Sequence, residues 1–173
     1  MPTAKAPRPS VTIRKATEAD APGLVAILEG IAAERVHSAI DVVWPVEKRR
    51  AHLASLSDRE VVHVAIAASG QIVGFQVLDL WATISSMHHV GQIGTFLAPE
   101  WRSRGLGRLL FATTEAFATA TGYSKMIAQV HASNERAKTF YRRLGFRAVG
   151  RLARQVRIDG MEDDEILMEH FLS

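Results

Sequence analysis

Arginine and glycine dominate one short segment near the middle of the chain, which runs Arg102, Ser103, Arg104, Gly105, Leu106, Gly107, Arg108. Hydrophobic periodicity predicts a strand ending near Leu97 before it and a helix starting near Gly105. Glycines at a helix N-terminus let backbone N–H groups approach a ligand closely, and the helix dipole there favours an anion. The segment is therefore a candidate pyrophosphate-binding loop. The alternative is a tight strand-to-helix turn solvated by its arginines.

A second candidate site lies on a helix predicted from Asn134 to Leu144. Asn134 and Tyr141 are nearly two helical turns apart, so both side chains project from the same side, roughly 10 Å apart along the axis. Ala137 lies between them, and its small side chain leaves space on that face of the helix. An amide and a phenol would thus line one groove. The alternative is that Tyr141 belongs to the core, as a lone helical tyrosine more often does.

The spacing of apolar residues predicts the elements that position these two motifs. Residues 1–10 read as a loose tail rich in proline, alanine and basic residues, and residues 11–173 as a single domain. Thr17 and Asp20 have the spacing of a capping box at the start of the first helix. The predicted order β–α–α–β–β–β–α–β–α–β–β mixes hairpins with helical crossovers. It indicates an α/β fold with one mixed sheet and helices on both faces.

The composition excludes several classes of protein. The 173 residues are 47% hydrophobic and 23% charged, which is typical of a globular domain, and no apolar run is long enough to span a membrane. The absence of cysteine excludes disulfides, zinc–thiolate sites and a thiol nucleophile. No metal-ligand spacing links the seven histidines, so we expect no metal. Because the N-terminus shows no secretory signal, we expect a cytoplasmic protein with no membrane partner.

Charge is unevenly distributed along the chain, although the net charge is only +3. Between Glu135 and Arg157 there are eight basic residues and one acid, and six acids follow between Asp159 and Glu169. A basic stretch can bind nucleic acid or a phosphate-bearing ligand. The alternative is that these residues form a solvent-exposed helix face and strand edge. The basic stretch contains no segment that resembles a nucleobase-recognition element, so we expect no nucleic-acid partner.

The two motifs, in this order and in this strand–helix context, resemble those of the GNAT superfamily of N-acyltransferases. The loop that begins at Arg102 is similar to its acyl-CoA pyrophosphate loop, and the segment from Asn134 to Phe146 is similar to its second motif. The resemblance covers about residues 11–171 and is nearest to phosphinothricin and amino-acid N-acetyltransferases. It implies a central, mostly antiparallel sheet with a splayed strand pair and helices on both faces.

The resemblance also implies roles for individual residues. Backbone groups of Phe96 and Leu97 would bind the pantetheine arm of acetyl-CoA, and Asn134 would contact it. Backbone N–H groups from Ser103 to Arg108 would hold the pyrophosphate. Tyr141 would lie near the thioester sulfur and act as a general acid, for which a phenol is suited.

A general base is not evident where several superfamily members carry one. Those positions, six and four residues before Leu97, hold Gly91 and Ile93, which cannot titrate. His89 lies two residues further back, on the same face of a strand predicted from His88 to Leu97. A histidine pKa near 6.5 suits a base at neutral pH, so His89 is our candidate, with a polar strand end as the alternative.

We therefore predict an acetyl-CoA-dependent N-acetyltransferase that acetylates a primary amine of a small molecule or amino acid by direct attack in a ternary complex. Two alternatives stay open: a protein acetyltransferase acting on lysine or N-terminal amines, and a catalytically weak acyl-CoA-binding sensor. The implied partners are acetyl-CoA and a small amine acceptor, and a homodimer is left open. By the same resemblance the acceptor pocket lies partly around residues 35–46, where Trp44 is a candidate wall.

Overall fold

One seven-stranded sheet with helices on both faces makes up the computed structural model, which describes residues 10–34 and 42–173. The strands are β1 (Val11–Lys15), β2 (Val61–Ala67), β3 (Ile72–Leu80), β4 (Val90–Leu97), β5 (Lys125–His131), β6 (Arg147–Ile158) and β7 (Met161–Phe171). The helices are α1 (Ala21–Glu34), α2 (Val46–Ser55), α3 (Leu106–Ala120) and α4 (Glu135–Arg143). This order agrees with the predicted one. Residues 1–9 of the predicted tail, and residues 35–41 beside the expected acceptor pocket, lie outside the described residues.

The strand order is β1-β2-β3-β4-β5-β7-β6, and every neighbouring pair is antiparallel except β4 and β5. The predicted mixed sheet is thus confirmed. The parallel pair requires a crossover, which α3 supplies. β4 and β5 pair only as far as Ile93 and Ala128, although β4 continues to Leu97 and β5 to His131. Beyond that point a gap opens between the two strands.

The core has two halves, one on each face of the sheet. Helices α1 and α2 pack on one face through an apolar cluster that includes Leu24, Leu28, Leu53, Val64 and Phe75. Helices α3 and α4 pack on the other face through a cluster that includes Leu78, Ile93, Phe111, Tyr141 and Met168. Successive residues of β3 therefore face opposite helical layers. No helix within residues 10–34 and 42–173 has the length and apolar character to cross a bilayer.

Asp20 connects β1 to the start of α1. Arg14 donates two hydrogen bonds to its carboxylate, Nη1 to Oδ2 at 2.7 Å and Nη2 to Oδ1 at 2.9 Å. The backbone N–H of Thr17 also donates to Oδ2, at 2.7 Å, which forms the predicted capping box. Hydrogen bonding from Arg14, supported by Thr17, lowers the pKa of Asp20 despite its burial. The acid is therefore charged and paired at neutral pH.

The second half of the basic stretch and the acidic stretch face each other in the β6–β7 hairpin. Ion pairs join Arg147 to Glu169, Arg151 to Asp164, and Arg154 and Arg157 to Glu162. The arginine side chains are mostly exposed, so each pair contributes little stability, about 0–1 kcal/mol. The pairs nevertheless balance the positive charge of β6 locally, whereas the other four basic residues of the stretch lie on α4.

Candidate active site

A cavity of about 410 Å³ lies where β4 and β5 separate. Its walls come from both helical layers: α2 contributes Arg49 and His52, whereas Asn134 and Tyr141 come from the start and the body of α4. Asp79 of β3 forms part of its floor. The gap between the strands therefore joins the two faces of the sheet in one space. Reactants could approach each other from opposite faces.

Tyr141 is only 5% exposed, and its hydroxyl lies beside β4. Its oxygen is 3.1 Å from Thr95 Oγ1, and Thr95 Oγ1 also accepts a hydrogen bond from Gln76 Nε2 at 2.8 Å. Burial raises the pKa of Tyr141 to about 12, although hydrogen bonds with Thr95 act in the opposite direction. The phenol thus keeps its proton at neutral pH. The sequence carried no local signal for Thr95 or Gln76, because their contact depends on strand pairing.

The backbone of β4 presents alternate residues to its two neighbours. The carbonyl of Val90 and the N–H of Ala98 both bond on the β3 side, which assigns the even-numbered residues of β4 to that side. The backbone groups of Phe96 therefore pair with β3, rather than facing a ligand as the resemblance implied. Those of Thr95 and Leu97 face the gap, where pairing with β5 has already ended.

Arg102 begins the glycine-rich loop, but its side chain points back into the protein. Its guanidinium Nη1 lies 2.8 Å from Glu34 Oε2 at the end of α1, and Nε donates to the carbonyl of Leu97 at 3.2 Å. The side chain is 14% exposed. Arg102 therefore fastens the loop to α1 and β4. Arg104 and Arg108 are exposed, and the Arg104 guanidinium lies 5.7 Å from the ring centroid of Trp101.

The loop itself forms an open cradle of backbone N–H groups. In the part of the chain that the structure describes, the N–H groups of residues 103–107 make no hydrogen bond to a backbone carbonyl. Ser103 and Gly105 adopt φ angles of 61° and 82°, and such left-handed residues turn successive N–H groups toward one concavity. A Cβ at Gly105 would meet no atom within 4 Å, so space for a ligand is present. These N–H groups are therefore available to an anionic ligand.

Gly107 has a different reason to be glycine. A Cβ at this position would lie 2.8 and 2.9 Å from two ring atoms of Phe140, so only glycine lets α3 approach α4 this closely. Leu106 is fully buried in the core beside Leu110. The side-chain identity of these two loop residues therefore serves packing. Only their backbone N–H groups are available to the cradle.

Asn134 is the N-cap of α4, where its Oδ1 accepts a hydrogen bond from the N–H of Ala137 at 3.0 Å. Asn134 and Tyr141 both line the cavity, as their spacing on the helix predicts. His89, by contrast, lies in an exposed turn, because β4 begins at Val90 and not at His88. It is not among the residues that line the cavity. The structure therefore does not bring His89 to the other candidates.

The cavity collects buried polar atoms that have no hydrogen-bond partner. Such atoms are rare in folded proteins. Six are found among the described residues, and four of them line this cavity: Arg49 Nε, His52 Nδ1, Asp79 Oδ1 and His131 Nε2. A polar ligand could satisfy them. No group of three or more His, Asp or Glu side chains within the described ranges could hold a metal ion.

Asp79 is the functional candidate that the sequence analysis missed. It pairs across the sheet with Gln92 of β4 and shares the inward face of β3 with Phe75 and Val77. Burial raises the pKa of Asp79 to about 6, Glu60 adds to the rise, and Arg49 opposes it. The sequence did contain one signal, because Asp79 follows Phe75 and Val77 at the two-residue spacing of one strand face. The sequence alone did not show that a cavity lies above this position.

Comparison with known proteins defines the class of this enzyme. The profile of the acetyltransferase (GNAT) family matches residues 27–146, and the chain belongs to that family of N-acetyltransferases. It is 29% identical over 146 residues to aminoglycoside N(6')-acetyltransferase type 1 of Stenotrophomonas maltophilia, with 82% of this chain and 89% of the relative covered. It is 25% identical over 144 residues to the L-methionine sulfoximine/L-methionine sulfone acetyltransferase of Pseudomonas paraeruginosa, with 83% and 84% covered.

Solved structures confirm the predicted fold. A GNAT superfamily phosphinothricin acetyltransferase from Sinorhizobium meliloti, solved in complex with AcCoA, matches with a TM-score of 0.87. The match covers 95% of this chain and 89% of that one at 20% sequence identity. At that identity the likeness concerns the fold alone. The family predicted from the glycine-rich loop and from α4 is thus confirmed by sequence, and its architecture by structure.

Proposed function

We propose that this enzyme uses acetyl-CoA to acetylate the primary amine of a small, polar molecule. The observation that carries the proposal is the cavity at the β4–β5 gap, which joins a protonated phenol on one face to unpartnered polar groups on the other. A volume of about 410 Å³ lies in the range of small-molecule sites. Both curated relatives described above carry names of small-molecule acetyltransferases.

The donor side of the site is built by β4 and the loop. The N–H groups of residues 103–107 and the guanidinium groups of Arg104 and Arg108 would hold the pyrophosphate. Backbone groups of Thr95 and Leu97, together with Asn134, would bind the pantetheine arm. Bound acetyl-CoA supplies the acetyl thioester at the gap. The open cradle after β4 and the free backbone N–H groups of the loop support this assignment.

Tyr141 is the proton donor to the departing sulfur. Thr95 holds the phenol oxygen at 3.1 Å, and the raised pKa keeps the proton on it. The phenol donates a hydrogen bond to the sulfur and delivers its proton as the carbon–sulfur bond breaks. The backbone N–H of Thr95 also bonds to the phenol oxygen, so the backbone and the side chain of Thr95 together hold Tyr141 in place.

The acceptor side favours a molecule with both an ammonium and an anionic group. Arg49 offers an unpartnered buried Nε–H, which suits a carboxylate. Asp79 offers an unpartnered carboxylate oxygen, and Glu165 lies at the other end of the same cavity. Such a pair of opposite charges matches an α-amino acid. We therefore infer that free amino acids or their analogues are the preferred acceptors.

A thiol-release assay with acetyl-CoA tests the proposal. The acceptor panel contains free amino acids, methionine sulfone, an aminoglycoside and peptides with a lysine or a free N-terminal alanine. We expect turnover on an amino acid, and at least about a tenfold loss of kcat/KM when its carboxylate is amidated, because the contact with Arg49 is lost. Acetylation of peptides alone would contradict the acceptor class. No calorimetric binding of acetyl-CoA would contradict the donor site.

A further inference from the structure

We propose that Asp79 is a catalytic residue that removes the proton from the acceptor ammonium through one bridging water. This inference rests on the proposed function, since it concerns the acceptor of the same site. It supplies the base that is missing from the positions of Gly91 and Ile93. It places that base on β3, not on the strand that binds the acyl donor.

Strand register places Asp79 two residues along β3 from Val77, which lies opposite the start of the β4–β5 gap. Asp79 is opposite Gln92, and Val77 is opposite Gly94, the first residue of β4 beyond the end of pairing with β5. Two residues along a strand span roughly 7 Å. Asp79 and Gly94 both face α1 and α2, so their side-chain spaces adjoin within the cavity. That separation leaves room for an amine at the gap and one water between it and the carboxylate.

The hydrogen bonding of Asp79 differs from that of the structural acids. Asp20 is held by Arg14, and Glu169 by Lys125 at 2.5 Å and Arg147 at 2.8 Å, and these contacts lower the pKa of both acids. Asp79 Oδ1, in contrast, is buried without a partner among the described residues. A carboxylate oxygen in that state has a free position for a water or an ammonium.

The groups that surround Asp79 permit it to titrate near neutrality. Arg49 of α2 and Glu60 before β2 act on its charge, His52 of α2 lines the same cavity, and Tyr123 after α3 is within range of the Asp79 charge. Glu60 and burial favour the protonated acid, and Arg49 favours the carboxylate. Burial and the charge of Arg49 lower the pKa of His52, whose ring packs edge-on against Trp44 at 5.8 Å. The His52 ring is thus packed against Trp44, and its pKa is lowered. We therefore assign the acceptor's proton to Asp79 and not to His52.

The proton balance of the reaction closes with Asp79 and Tyr141. The acceptor ammonium loses one proton to the water, which passes a proton to the Asp79 carboxylate. The neutral amine then forms the nitrogen–carbon bond, and the carbon–sulfur bond breaks. Tyr141 gives its proton to the sulfur, and the second nitrogen proton restores the phenol. Asp79 finally releases its proton to solvent, so the products are the amide, the free thiol and one proton.

The pH dependence of kcat/KM for the best acceptor separates this role from a structural one. In the wild type we expect an acid limb with an apparent pKa of about 6, the value for Asp79. In Asp79→Asn only the neutral amine reacts, so the limb moves up to the pKa of the acceptor itself. At pH 7 the rate falls about 100-fold and recovers as the pH is raised. Asp79→Glu keeps a titrating limb, and its rate stays within about tenfold of the wild type.

Control variants make the result decisive. Asp58→Asn changes an exposed acid outside the cavity and leaves the profile unchanged. His52→Gln and His89→Ala keep the limb near pH 6, whatever their effect on KM. An unmoved limb and an undiminished rate in Asp79→Asn, or loss of the limb in His52→Gln or His89→Ala, would overturn the inference. A wild type that releases no thiol with any amine would instead overturn the proposed function. Thermal unfolding and the Kd for acetyl-CoA establish that each variant is folded.

Discussion

The hydroxyl oxygen of Thr95 lies 3.1 Å from the phenol oxygen of Tyr141, so a β4 side chain fixes the direction of a side chain on α4. Gln76 donates to the same Thr95 oxygen at 2.8 Å from the neighbouring strand. Because that oxygen already accepts from Gln76, the Thr95 proton is free to bond to Tyr141. In that arrangement the phenol oxygen accepts from Thr95, which leaves the phenol proton available to the thioester sulfur in the proposed reaction.

Replacing Tyr141 by phenylalanine removes the proposed proton donor without changing the shape of the core. We expect Tyr141→Phe to lower kcat by about 100-fold, because the departing thiolate loses its proton source. The Kd for acetyl-CoA, measured by calorimetry, should change by less than about twofold, since the cradle is untouched. Tyr123→Phe is the matched control: its hydroxyl bonds to the carbonyl of Arg59 outside the gap, so turnover is retained. Equal turnover in the two variants would remove Tyr141 from the mechanism.

Replacing Thr95 by valine tests the positioning of Tyr141. Loss of one hydrogen bond to the phenol should lower kcat about tenfold and leave KM for acetyl-CoA nearly unchanged. In the double variant Thr95→Val/Tyr141→Phe, kcat should be no lower than in Tyr141→Phe, because Thr95 acts only through the phenol. Thr113→Val, which removes a hydroxyl bonded to the carbonyl of Leu109 within α3, is the control. Additive losses in the double variant would contradict the assignment.

Replacing Gly107 by alanine distinguishes packing from ligand binding. The added Cβ would collide with Phe140, which should cost about 1–3 kcal/mol and lower Tm by about 2–12 °C. Phe140→Leu in the same chain should restore part of that loss. Gly30→Ala in α1, where a Cβ meets nothing within 4 Å, should stabilise the protein slightly. An unchanged Tm in Gly107→Ala would show that the helices tolerate the contact.

The carboxylate of Asp20 should stabilise the fold in a pH-dependent way. Its folded pKa is lowered, so its contribution is complete above the unfolded pKa of about 3.9 and is lost as pH falls through the folded value. At pH 7 we expect Asp20→Asn to lower the free energy of unfolding by about 2 kcal/mol. Urea denaturation of wild type and variant should show that this difference disappears at acid pH. A difference that persists there would point to a cause other than the Arg14 pair.

The sequence predicted the parts of the site that local spacing defines. The seven-residue interval places Asn134 and Tyr141 on one side of α4, and a left-handed glycine at the helix start opens the loop at Gly105. Helix geometry repeats every few residues, so such relationships can be read from the chain without knowledge of the rest of the fold. The family followed from these two motifs together.

Contacts between distant segments could not be predicted in this way. Phe96 was expected to bind a ligand through its backbone, but the hydrogen-bonding register with β3 directs those groups elsewhere. His89 was expected on a strand, but the strand begins one residue after it. For Phe96, a difference of one residue decides which neighbouring strand the backbone groups face. For His89, it decides whether the residue lies on the strand at all. Sequence periodicity does not locate an element boundary that finely.

By itself the sequence predicted an α/β acetyltransferase with a glycine-rich helix start suited to an anion and a phenol on the following helix. Only the tertiary structure decided that Asp79 faces the same cavity, that Thr95 and Gln76 hold Tyr141, and that Gly107 makes room for Phe140. The physical reason is the range of the interactions. Helix faces and turns depend on neighbours within a few residues, whereas the site depends on strand register and on where β4 and β5 separate.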